Sequence, residues 1–208
     1  ALGFYAGMLC LIPYAIVGAR RYALSRTSWR GIRFVFRGTA AELLPIFVKG
    51  ALLTFVTLGI YLPYFISNLY AFLTNHSYYG TRRFEYTGKG EDLLWMHLKA
   101  ILLFIPTLGL YSFWLAAGRL NYMTANTRIG GVRFRSTLTG GGLLGQTFVN
   151  MLLIFVTFGF ATPWVIVRAL RFRFENLHVE GSLDVSDIRQ EIQKGGAMGQ
   201  ELAGLLDV

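Results

Sequence analysis

Apolar residues run along this chain in four long blocks, centred near residues 8, 58, 108 and 158, with short polar junctions between them. The blocks are copies of one another. Phe55-Val56-Thr57-Leu58-Gly59-Ile60-Tyr61-Leu62-Pro63-Tyr64 returns as Ile105-Pro106-Thr107-Leu108-Gly109-Leu110-Tyr111-Ser112-Phe113-Trp114. It returns again as Phe155-Val156-Thr157-Phe158-Gly159-Phe160-Ala161-Thr162-Pro163-Trp164, at the same 50-residue offset. From Glu42 to Leu58 the apolar body would make ~25 Å of helix. Gly59, Gly109 and Gly159 stand where a glycine ends a helix, and Pro63 and Pro163 stand where a proline opens the next. Each block therefore reads as a helical hairpin, with one long kinked span as the alternative.

The junctions carry a different period. In Ile32-Arg33-Phe34-Val35-Phe36-Arg37, apolar and basic positions alternate as in a half-buried strand. Phe84 beside Arg83 and Phe134 beside Arg133 repeat the alternation, and Gly31, Gly80, Gly130 and Gly131 supply hairpin turns. Glycine-flanked segments precede each apolar body. In the first, Thr39 and Glu42 have the spacing of a capping box.

These elements divide the chain into a partial first repeat at 1–38, repeats at 39–88, 89–138 and 139–184, and a polar C-terminal tail at 185–208 expected to be soluble. Ala1 falls in register with Ala51, inside an apolar block, so a native start further upstream is expected. The fold class expected is a membrane protein, mainly α. Repeated transmembrane helical hairpins would be joined by short β-hairpins, which form a small sheet on the cytoplasmic face.

Composition sharpens that expectation. Of 208 residues, 54% are hydrophobic and 15% charged, and mean hydropathy is +0.47. A soluble domain normally has nearer a quarter of its residues charged. The net charge of +9 sits in arginines flanking the apolar blocks. Juxtamembrane basic residues suit the positive-inside bias and anionic headgroups better than nucleic acid. A bacterial inner-membrane location follows, multi-pass, with junctions and tail cytoplasmic. The partners expected are the lipid bilayer, and anionic lipid or another membrane protein. The lone Cys10 reads as a small buried hydrophobe.

The repeated Thr-x-Gly-x-x-x-x-Trp/Tyr signature, the Gly-x-Arg-Phe strands, the Gly-Gly-Leu-Leu helix starts and the Glu201–Val208 terminus resemble the YjgN family of bacterial inner-membrane proteins. The resemblance covers nearly the whole chain. It implies a multi-pass inner-membrane protein of unknown function and carries over no catalytic residue.

Candidate chemistry is sparse. His76, His97 and His178 have no second ligand at metal-binding spacing. No nucleophile stands with a base, and Gly140-Gly141-Gly142 lacks the lysine of a phosphate loop. Neither a catalytic residue, a metal site nor a cofactor is expected, and the chain is not read as an enzyme. The polar residues inside apolar blocks are the sharpest candidates: Lys49, Lys99, Asn68, Arg119 and Asn150 would form an intramembrane polar path. The simpler reading is that the lysines, only two turns deep, snorkel to the interface. The reading that results is a non-catalytic accessory or scaffolding subunit. The alternative is a transporter or channel with Lys49, Lys99 and Asn68 lining its path.

Overall fold

A computed structural model describes residues 2–181, with side chains from residue 11 onward. The polar tail and the terminal motif, with Cys10 at the other end, lie outside that description. Helix α1 (Leu2–Ser25) leads into strands β1 (Ser28–Trp29) and β2 (Ile32–Phe36). Three helical hairpins follow: α2 (Ala40–Val56) with α3 (Leu62–Asn75), α4 (Gly90–Phe104) with α5 (Ser112–Ala125), and α6 (Gly140–Val156) with α7 (Thr162–Glu175). Between them lie β3 (Ser77–Tyr79) with β4 (Arg82–Tyr86), and β5 (Thr127–Ile129) with β6 (Val132–Ser136). After α7 comes β7 (Leu177–Glu180). The strands form one antiparallel sheet in chain order, β1 to β7. Each helical hairpin sends out from and returns to this sheet, so β2 and β3 pair as Phe34↔Tyr79 although a hairpin separates them.

This architecture overturns the membrane fold class. Among the described residues no helix is long and apolar enough to cross a membrane. Within the three hairpins the reason lies in the repeated break. A seventeen-residue helix such as α2 is ~25 Å long, short of the ~30 Å hydrocarbon layer, and the chain then turns back. The transmembrane reading and the multi-pass inner-membrane location fall with it, and so does the assignment of junctions and tail to a cytoplasmic face. The fold is instead α plus β: seven helices and a seven-stranded antiparallel sheet among the described residues.

The hairpin turn repeats atom for atom. Thr57 Oγ1 donates to Leu53 O at 2.7 Å and accepts from Tyr61 N at 3.0 Å, tying the end of one helix to the start of the next. Thr107 and Thr157 do the same. Gly59, Gly109 and Gly159 adopt positive φ, and each N–H reaches back to a carbonyl five residues earlier, the 6→1 bond of a Schellman motif.

The helix starts show why glycine recurs there. A Cβ at Gly90 would lie 2.6 Å from Tyr64 Cα, and one at Gly140 2.7 Å from Trp114 Cα. These glycines let α4 and α6 touch the backbones of α3 and α5. Thr39 and Glu42 form the capping box on α2.

The core is built from equivalent positions. Phe36, Leu43 and Phe72 are buried with Val17 in one cluster. One period later Tyr86 and Leu93 are buried with Met123, and Tyr122 packs against them. A third cluster lies under the sheet, where Tyr79, Ile129 and Val132 meet Phe34, Phe84 and Phe134.

Candidate functional site

The polar residues singled out in the sequence are spread over five helices, α2 to α6. Lys49 is exposed on α2 and Asn68 exposed on α3. These two share an open groove of about 470 Å³ with Tyr61, Asn75, His76 and Arg83. Lys99 is exposed on α4 and Arg119 half-buried on α5, both belonging to the next hairpin. Asn150 is half-buried on α6, and its Oδ1 is buried with no hydrogen-bond partner among the described residues.

Each histidine has a local partner. His76 packs tilted against Phe72, ring centroids 4.3 Å apart, and lies 3.8 Å from Glu42. His97 Nε2 meets Gly59 O at 3.1 Å, linking α4 to the preceding turn, and His178 meets Thr137 Oγ1 at 3.4 Å. No group of three metal-ligating side chains occurs among the described residues.

Two regions stand out by geometry. The first is the hairpin surface. Leu58, Leu108 and Phe158 precede the turn glycines with φ of +50°, and they are 92%, 92% and 94% exposed. A non-glycine residue in that left-handed region costs roughly 1–2 kcal/mol. Glycine would avoid the cost, yet a large apolar side chain stands there in all three hairpins. Exposed apolar side chains continue down the flanks: Leu52 and Phe55 on α2, Leu102 and Ile105 by α4, Phe148 and Phe155 on α6. Trp29, Trp95, Trp114 and Trp164 are exposed as well.

The second region is a chamber of about 290 Å³ between the sheet and helices α1, α3 and α5. Sequence reasoning missed it, although its wall obeys the 50-residue offset. Leu24, Thr74 and Thr124 are equivalent, as are Ser77, Thr127 and Leu177, and Phe34, Phe84 and Phe134. The three phenylalanines stack along the sheet, with ring centroids 6.1 and 6.3 Å apart. Arg33, Arg83 and Arg133, one residue earlier on the same strands, are exposed.

Hydroxyls line the rest of the wall, and their partners fix their roles. Thr127 Oγ1 donates to Met123 O at 2.8 Å, so at 3.3 Å it accepts from the Tyr70 hydroxyl. Ser77 Oγ donates to Leu73 O and lies 3.5 Å from an Arg20 guanidinium nitrogen. Arg20 counts as exposed over the whole residue, but burial of its guanidinium lowers its pKa, with Tyr70 pulling the other way. Exposure decides the state: a guanidinium at a chamber mouth stays charged. Among the described residues it has no carboxylate partner.

No curated protein and no solved structure matches the chain. The resemblance drawn from its motifs is met at a broader level by a family model that matches residues 1–118, 81–133 and 110–205. By that match the chain belongs to the family described as "Bacterial protein of unknown function (DUF898)".

Proposed function

We propose that the protein is a non-catalytic accessory or scaffolding protein that docks on a lipid surface through its helical hairpins, inserting from one side without crossing. The narrower likeness to YjgN proteins rests on the motifs alone. The observation that carries the reading is the trio Leu58, Leu108 and Phe158. Each keeps a large apolar side chain almost fully in water, at a backbone position that disfavours any side chain. Soluble monomers rarely expose apolar patches beyond a few hundred Å², and here apolar flanks extend from every turn. Burial of such side chains in acyl chains would return roughly 1.5–3 kcal/mol each. The exposed arginines on the strands supply charge for anionic headgroups.

Flotation with phosphatidylcholine vesicles, with and without phosphatidylglycerol, tests this. The wild type should float, and more strongly with the anionic lipid. The triple variant L58D/L108D/F158D should remain behind while its circular dichroism and thermal midpoint stay unchanged, because these side chains contribute no packing. A folded triple variant that floats as well as the wild type overturns the reading.

A further inference from the structure

The chamber under the sheet suits a ligand, independently of whether the hairpins meet lipid. Several groups in its wall still have protons to donate, although the threonine hydroxyls among them can accept as well. Thr127 and Ser77 spend their protons on the Met123 and Leu73 carbonyls, and Tyr70 spends its own on Thr127. The Arg20 guanidinium and the Thr74 and Thr124 hydroxyls remain. Thr74 is 5% exposed and makes no side-chain hydrogen bond among the described residues. Its oxygen is not among the fully buried polar atoms left without a partner, which are those of Asn121 and Asn150, so the hydroxyl is open to a ligand entering the space it lines. No acidic side chain lines the chamber. The stacked rings of Phe34, Phe84 and Phe134, with Leu24 and Leu177, line the same space.

We propose that this chamber binds a small organic monoanion, a carboxylate carried on a compact aromatic body. The carboxylate meets the Arg20 guanidinium and the Thr74 hydroxyl, and the ring lies against the phenylalanine ladder. The volume sets the size. At ~30 Å³ per water, 290 Å³ holds about ten waters, below the range of drug-sized sites. One ring with a short acid side chain fills that volume. A guanidinium matches a carboxylate in geometry as well as charge, and ring-on-ring contact favours an aromatic body over a linear chain.

Titration calorimetry on the full chain with 3-phenylpropanoate, octanoate and the neutral 3-phenylpropanamide tests the assignment. The wild type should bind one phenylpropanoate per chain, octanoate more weakly, and the amide not at all. R20Q should weaken phenylpropanoate binding by about tenfold or more, the share of a charge-assisted hydrogen bond, and R20K should recover part of the loss. T74V should also weaken it, with circular dichroism unchanged in all variants. Absence of saturable binding by the wild type, or equal binding by R20Q or of the amide, overturns the site. Octanoate binding as tight as phenylpropanoate overturns the aromatic body.

Discussion

At the scale of the residue, single side chains are fixed by partners on the adjacent helix. Tyr122 on α5 is the clearest case. Its hydroxyl donates to the Asp92 carboxylate in the first turn of α4 and accepts from Lys89 N at 2.8 Å. Burial and then the hydrogen bond to Asp92 push its pKa up to about 12, above the ordinary 10. The sign follows from linkage. The unfolded chain loses this proton first, so the stabilisation is complete below pH ~10 and drains away as pH rises through about 12. The thermal midpoint of the wild type should therefore fall more steeply between these values than that of Y122F. Parallel curves for the two proteins would show that Tyr122 is not the titrating group. Asp92, by the same contact, receives its partner from the neighbouring helix.

At the scale of the element, the turn is specified by three residues, Thr-x-Gly, and each has its own task. The threonine hydroxyl bridges the two helices, the glycine takes the left-handed backbone, and the residue between them carries the exposed apolar side chain. The bridge is separable from the exposure. T107V removes the bonds to Leu103 O and Tyr111 N and should cost about 1–2 kcal/mol in chemical denaturation. L108G relieves a left-handed leucine and should stabilise by up to about 1 kcal/mol. A destabilised L108G would mean that the 92%-exposed side chain packs against something after all. The sequence made this turn legible because all its signals are local: threonine and glycine at constant offset in three copies, with proline four residues later in two of them. Strand alternation was legible for the same reason, with Phe34, Phe84 and Phe134 half-buried beside exposed Arg33, Arg83 and Arg133.

At the scale of the molecule, what was not legible is what depends on how repeats meet. Hydropathy read Val48, Leu52 and Phe55 as residues of a spanning helix. The same residues lie exposed on a helix too short to span. Burial of a block and solvation of a block leave the same composition, and only the length between breaks separates them. Lys49 and Lys99 looked like a pair because they are one period apart, but equivalent positions on successive hairpins both face outward. The chamber shows the opposite outcome of the same offset. Thr74, Thr124 and Ser77 carry no motif, and they become a wall only because the C-terminal halves of α1, α3 and α5 all pack on the sheet. The arginines outside the sheet contribute little to its stability. The Arg128–Glu85 pair, at 2.8 Å, is exposed on both sides, and such pairs are worth at most about 1 kcal/mol.

The chain-order sheet has a bearing on how the protein assembles itself. Every strand pairs with the strand next along the chain, and substantial helix packing joins only neighbours in the order α1 to α7. Such an array folds by propagation, each unit templating the next, and its cooperativity is a sum of links between neighbours. Damage should then stay local. Leu93, 2% exposed in the second core cluster, tests this: L93A removes ~2–5 kcal/mol of packing. Hydrogen exchange should show α4 and α5 opening readily while amides of α2 and α3 keep most of their protection. Uniform loss across all the helices would instead make the repeats one indivisible folding unit.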